Sequence, residues 1–162
     1  DGLRLHYRDY PGGDPEQPPI LCLPGLTRNA RDFEPVADRF AGEWRVLALD
    51  FRGRGGSAPD PDPTRYRPSS YAADVLKLLD QLGIADAVFV GTSLGGLVTM
   101  LIAGQEGERI AGALLNDIGP EVSPEGIERI RTYVGKQVDF PSFAEAGRAM
   151  MARAGDVYPR WG

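Results

Sequence analysis

Apolar positions along this chain follow two rhythms, and their alternation defines the class of fold. Leu3, Leu5 and Tyr7 alternate with Arg4, His6 and Arg8, a period of two with one polar face that predicts a half-buried antiparallel strand near a sheet edge. Three later runs have no polar face at all: Ile20-Leu21-Cys22-Leu23, Val46-Leu47-Ala48-Leu49 and Ala87-Val88-Phe89-Val90. Unbroken apolar strands belong in a sheet covered on both sides. Between them, and after the last, the period lengthens to that of a helix. Phe33, Val36, Ala37 and Phe40 form one helical face, with Pro35 suited to a first turn. Tyr71, Val75, Leu78, Leu79 and Leu82 form a second, for which Ser69 or Ser70 is the candidate N-cap and Gly83 the stop. A third helix, 94–103, is apolar almost all round, which predicts burial on nearly every side.

A further apolar strand, 111–115, completes an alternation of strands and helices. That order requires parallel crossovers, so the class is α/β, a mostly parallel sheet with helices on both faces. Pro11 to Pro19, where six of nine residues are Pro or Gly, is a turn-forming stretch too short for a domain linker. After Asp117 the pattern changes to helices without strands. Ile127, Ile130 and Val134 keep helical spacing, and Ser142 with Glu145 forms a capping box before Phe143, Ala146 and Met150. The expected division is therefore a core over 1–120 and a helical cap over 121–162.

Composition narrows the function. The 162 residues carry 18 basic and 23 acidic side chains, a net charge of −5, which argues against nucleic acid or an anionic membrane as partner. A small-molecule substrate is expected instead. One Cys and one His cannot build a zinc site of the Cys/His type, and a lone Cys forms no internal disulfide, so a cytoplasmic location is expected. Oligomeric state leaves no mark in the sequence. No apolar run approaches the roughly 20 residues of a membrane-spanning helix. The chain opens on Asp1-Gly2 and closes on Trp161-Gly162, ends that read as cuts in a longer sequence.

The chemistry lies in Gly91-Thr92-Ser93-Leu94-Gly95, a G-x-S-x-G motif between a strand pattern and a helix pattern. The motif describes a sharp, strained strand-to-helix turn that exposes the serine oxygen and leaves no space for a Cβ on either flank. About 0.1 matches arise by chance in a chain of this composition, so the flanking patterns carry the argument. Ser93 is the candidate nucleophile. The free N–H of Leu94, at the positive end of the following helix, is a candidate oxyanion donor. The second should come from the loop after the first central strand, where Leu26 is the candidate.

With Leu23-Pro24-Gly25-Leu26, then Asp50-Phe51-Arg52-Gly53-Arg54-Gly55-Gly56-Ser57, then Gly91 to Gly96 in this order, the chain resembles the α/β-hydrolase superfamily, in particular its cap-bearing serine hydrolases. In that family these segments are the oxyanion loop, the D-x-R-G-x-G-x-S loop and the nucleophile elbow. The likeness runs from Asp1 to about Asp117 and implies a cap after the family's sixth strand. Pro24 stands where the family usually has His, a change that leaves backbone donation by Leu26 intact. The larger departure concerns the base, which the family places near the C-terminus after the acid. No His follows Tyr7, and His6, on the polar face of the first strand, is expected to point to solvent. The missing His, and with it the acid, are expected in a C-terminal part beyond residue 162, although a minority of the family place the acid where Asp117 stands. The 162 residues alone are accordingly expected to be inactive.

The resemblance implies hydrolysis of a carboxylic ester or lactone through an acyl-enzyme, without a cofactor. Two alternatives stay open: cleavage of a carbon–carbon bond in a dienoic keto acid, and a non-catalytic domain that binds a ligand or partner. Asp50 and Arg52 are expected to serve their loop by hydrogen bonds, and Asp117 to order the loop where the cap departs. Cys22 reads as an inert core residue. Tyr133, Phe143, Met150 and Met151 could line an apolar pocket, with ordinary packing as the default.

Overall fold

The computed structural model describes residues 2–132, 134, 135 and 139–154. They fall into two compact units, 1–123 and 124–162.

In the first unit the three apolar runs become the middle of a five-stranded sheet. Its strands are β1 (Tyr7–Tyr10), β2 (Ile20–Leu23), β3 (Val46–Leu49), β4 (Ala87–Thr92) and β5 (Ile110–Asn116), in the order β1-β3-β2-β4-β5. β2 is central and parallel to both neighbours, with Cys22 opposite Ala48 on one side and Val90 on the other. β1 is the antiparallel edge, Tyr7 facing Leu49. It starts later than the alternation of residues 3–8 predicts, because β3 offers only four residues to pair with. Leu3 to His6 continue extended, and the carbonyls of Arg4 and His6 accept from the N–H groups of Ala58 and Asp50. The strand that the resemblance numbers as sixth is β5 here.

Alternation in β2, β3 and β4 divides the core in two. Leu21, Leu23, Leu47, Leu49 and Phe89 face α2 (Pro68–Gln81) and α3 (Leu94–Gln105). Ile20, Cys22, Val46 and Ala48 face Ala30 and Phe33 of a 3₁₀ turn, and Ala37 of α1 (Glu34–Arg39). Among the described residues this second face is less covered, so Val88 and Val90 are only half-buried and Leu114 of β5, opposite Val90, is exposed.

Two helices differ from expectation. α2 begins at Pro68, with Arg67 as a cap that makes no side-chain bond, so Ser69 and Ser70 lie inside the helix. Proline forces the residue before it out of the helical region, and Arg67 is extended at φ −138° and ψ 154°, which sets the boundary ahead of both serines. Gly83, at φ +67°, ends the helix as expected. α3 is not buried all round. Leu94, Val98, Thr99 and Ile102 are buried, while Leu101 and Ala103 are exposed, because among the described residues the helix packs chiefly on β4, α2 and β5.

The second unit holds α4 (Pro124–Arg131) and α5 (Phe143–Ala154). The Val134 N–H reaches the Ile130 carbonyl at 3.0 Å, one turn past α4. Ser142 caps α5, its Oγ accepting from the Glu145 N–H at 3.2 Å. Among the described residues Phe143 is 99% exposed, and Met150 and Met151 are exposed too. Tyr133 lies outside the described residues. Among the described residues, no helix is long and apolar enough to cross a membrane.

Candidate active site

Ser93 stands between β4 and α3 with φ +49° and ψ −108°, a positive φ that a side-chain-bearing residue adopts only under constraint. The constraint is visible on both sides. Its N–H donates to the Asn116 carbonyl of β5 at 2.9 Å, and its carbonyl accepts from Leu97 of α3 at 3.0 Å. A Cβ at Gly91 would lie 2.6 Å from the Gly95 carbonyl oxygen, and one at Gly95 would lie 2.1 Å from the Leu23 carbonyl oxygen. Both glycines are thus required where the elbow crosses β2. The Ser93 side chain is half-buried. Among the described residues neither its hydroxyl nor the Leu94 N–H has a hydrogen-bond partner.

The loop after β2 passes beside this turn. A Cβ built on Gly25 would sit 3.9 Å from the Ser93 Cβ and 3.8 Å from the Thr92 carbonyl oxygen. The Gly25 carbonyl accepts from Arg28 N–H at 3.1 Å, closing a turn. In a trans peptide the C=O and N–H point in opposite directions, so the Leu26 N–H is directed away from that turn. Among the described residues it also lacks an acceptor. An apolar groove on the α1 side of the sheet, lined by Phe33, Val36, Phe40, Val88, Val90 and Leu114 among others, reaches Thr92 and Asn116; Ser93 is not part of its lining.

The loop after β3 is a closed network. Asp50, 3% exposed, accepts from the Ala30 N–H at 2.7 Å, the Gly56 N–H at 2.9 Å and His6 Nδ1 at 2.7 Å. Ser57 Oγ donates to the Asp50 carbonyl at 2.6 Å and accepts from the His6 N–H at 2.8 Å. Arg52, equally buried, makes a bidentate pair with Asp74 at 2.6 and 2.8 Å and reaches Asp60 at 2.5 Å. Its hydrogen bonds to Asp74, and the charges of Asp74 and Asp60, raise the pKa of the Arg52 guanidinium. Asp50 and Arg52 thus serve their loop, as expected.

His6 is a correction. Its side chain is 44% exposed, yet it does not simply point to solvent, because Nδ1 is tied to the buried Asp50 carboxylate. The contact joins residues 44 apart in sequence, which strand periodicity cannot register. Asp117, just past β5, is exposed and takes φ +55°, a conformation Asp tolerates better than most residues. Among the described residues its carboxylate has no hydrogen-bond partner. Cys22 is fully buried, and burial pushes its thiol up to about 12, which keeps it protonated and unreactive. Reading the sequence also missed Arg54 and Tyr71 near the site. Tyr71 counted only as one apolar position of a helix, and Arg54 only as a variable letter of a loop motif.

Residues 18–143 match the alpha/beta hydrolase fold, and the chain belongs to this family. Over 143 residues it is 39% identical to 3-hydroxybutyrate-oligomer hydrolase of Cupriavidus necator, covering 88% of this chain and 48% of that protein. It is 34% identical over 102 residues to mouse epoxide hydrolase 4, covering 63% of this chain and 28% of that one. The crystal structure of an alpha/beta hydrolase from Novosphingobium aromaticivorans superposes with a TM-score of 0.91 at 58% identity, over 99% of this chain and 56% of that one. The chain thus spans about half the length of the first and third of these relatives, and less of the second.

Proposed function

We propose that this chain supplies the nucleophile and oxyanion donors of a hydrolase acting on a small ester or lactone. Ser93 attacks the substrate carbonyl, the N–H groups of Leu94 and Leu26 hold the oxygen as it becomes negative, and water then releases the acyl group. The observation that carries this reading is the Ser93 turn: a positive-φ serine, its hydroxyl unpartnered, at the N-terminus of a twelve-residue helix. Similarity to a hydrolase of 3-hydroxybutyrate oligomers agrees, since a chain of hydroxy-acid units is joined by ester bonds. His6 is the sole histidine of the 162 residues and is engaged with Asp50, so we place the general base elsewhere in the protein. Asp117 is the candidate acid within these residues. Residues 121–162 are proposed as cap segments, and the cytoplasm as the compartment.

The test is labelling with a fluorophosphonate probe. The protein translated from the full reading frame should take one label, and Ser93→Ala should take none while melting at the same temperature. Equal labelling of the two, or none on folded wild-type protein, would remove Ser93 from the mechanism.

A further inference from the structure

We infer that Arg54 is a positioning residue for the oxyanion loop, an inference that rests on the proposed role of the Leu26 N–H. The loop after β2 needs an external brace, because only half of it is held by its own turn. Two peptide planes meet at the Leu26 Cα. The Gly25–Leu26 plane carries the N–H in question and is held through its carbonyl by Arg28 N–H at 3.1 Å. The Leu26–Thr27 plane is held through its carbonyl by Arg54 Nε, at 2.5 Å. With both planes fixed, neither backbone dihedral of Leu26 is free, so the direction of its N–H is set.

The guanidinium is well suited to this task. Its Nη1 donates to the Arg52 carbonyl at 3.1 Å and to the Tyr71 hydroxyl at 3.2 Å, and its carbon lies 5.3 Å from the centre of the Tyr71 ring. Tyr71 is itself buried and packs against Phe51 in a tilted ring pair, centroids 4.9 Å apart. A planar fork gripped on its face and at one end has a single direction left for Nε, and that direction is the Leu26 carbonyl. Arg54 thereby transmits the rigidity of α2 and the loop after β3 to the loop after β2. It touches no reacting atom. Its effect belongs to the transition state, where oxyanion donors must already be aligned, and not to binding of the uncharged ester.

The experiment compares wild type, Arg54→Met and Arg54→Lys in the whole protein, with p-nitrophenyl butyrate as substrate and a fluorophosphonate as label. Misalignment of an oxyanion donor should lower kcat by roughly 10- to 100-fold with KM nearly unchanged. Arg54→Lys keeps a cation over Tyr71 but lacks the fork, so it should fold and still lose most of the rate. Added guanidinium ion should restore part of the kcat of Arg54→Met. Unchanged kcat in folded Arg54→Lys, a rise in KM alone, or a rate loss matching the unfolded fraction would overturn the inference. The proposed role of Ser93 fails separately, if wild type itself takes no label.

Discussion

Two loops leave the same end of the sheet, after β3 and after β4, and their polar groups are treated in opposite ways. In residues 50–57 and their neighbours the polar side chains are matched with one another: Asp50 with two backbone amides and His6, Ser57 with Asp50 and His6, Arg52 with two aspartates. In the turn at Ser93 the hydroxyl and the next amide have no partner among the described residues, and the backbone is strained. A satisfied buried network fixes shape, whereas unsatisfied groups held at one place are available for chemistry. The first loop is a frame, and the second holds the groups proposed to do chemistry.

The sharpest way to break this comparison is Arg52→Met. It leaves the buried Asp60 with only the more distant Arg65, and the half-buried Asp74 without Arg52, and should cost about 3 kcal/mol in a denaturant titration. A cost below 1 kcal/mol would mean the network is ornamental. Gly95→Ala should cost about 3 kcal/mol or more, because its Cβ meets the Leu23 carbonyl, a backbone atom that cannot step aside. A variant that melts like wild type would show that the elbow is looser than described. Ser57→Ala, removing one hydroxyl with two partners, should cost about 1–2 kcal/mol by the same titration.

Cys22 supplies a pH test of the frame beneath both loops. The unfolded thiol loses its proton near 9.0 and the folded one at about 12, so between these values the folded state holds the extra proton. Stability is fully retained below pH 9 and should fall above it by about 1.4 kcal/mol per pH unit at most. Thermal melts of Cys22→Ala from pH 8 to 11 should lack this component, and identical slopes would refute it. The smallest expected effect has the opposite sign. Ser93→Gly relieves a positive φ and breaks no hydrogen bond, so it should raise stability by about 0.5–1 kcal/mol while abolishing labelling. Destabilisation would mean that the serine is part of the frame after all.

What the sequence disclosed was what short-range patterns encode. Runs such as Val46 to Leu49 identify central strands because each residue meets a covered face, and Gly91 and Gly95 flank the elbow because nothing larger fits. Boundaries were legible where a local rule acts alone, as at Gly83, and misread where two rules compete, as at Pro68 against the serines after it. The burial of α3 was overread because composition says which sides of a helix are apolar, not which of them meet a neighbour; among the described residues none buries Leu101. His6 on Asp50 and Arg54 on the Leu26 carbonyl were illegible because each joins segments tens of residues apart. The candidate nucleophile was therefore readable and its bracing was not.

The close approach of Gly95 to Leu23 makes the elbow unequal in what it can accept by substitution. Positions 91 and 95 admit hydrogen alone, so the mould around the serine is fixed, while position 93 already tolerates a side chain at positive φ. Asp, which adopts positive φ more readily than most residues, could occupy the same spot with the surrounding backbone unchanged. One codon could then exchange a hydroxyl for a carboxylate at the proposed site, where a side chain added two residues away on either flank would unmake the turn itself.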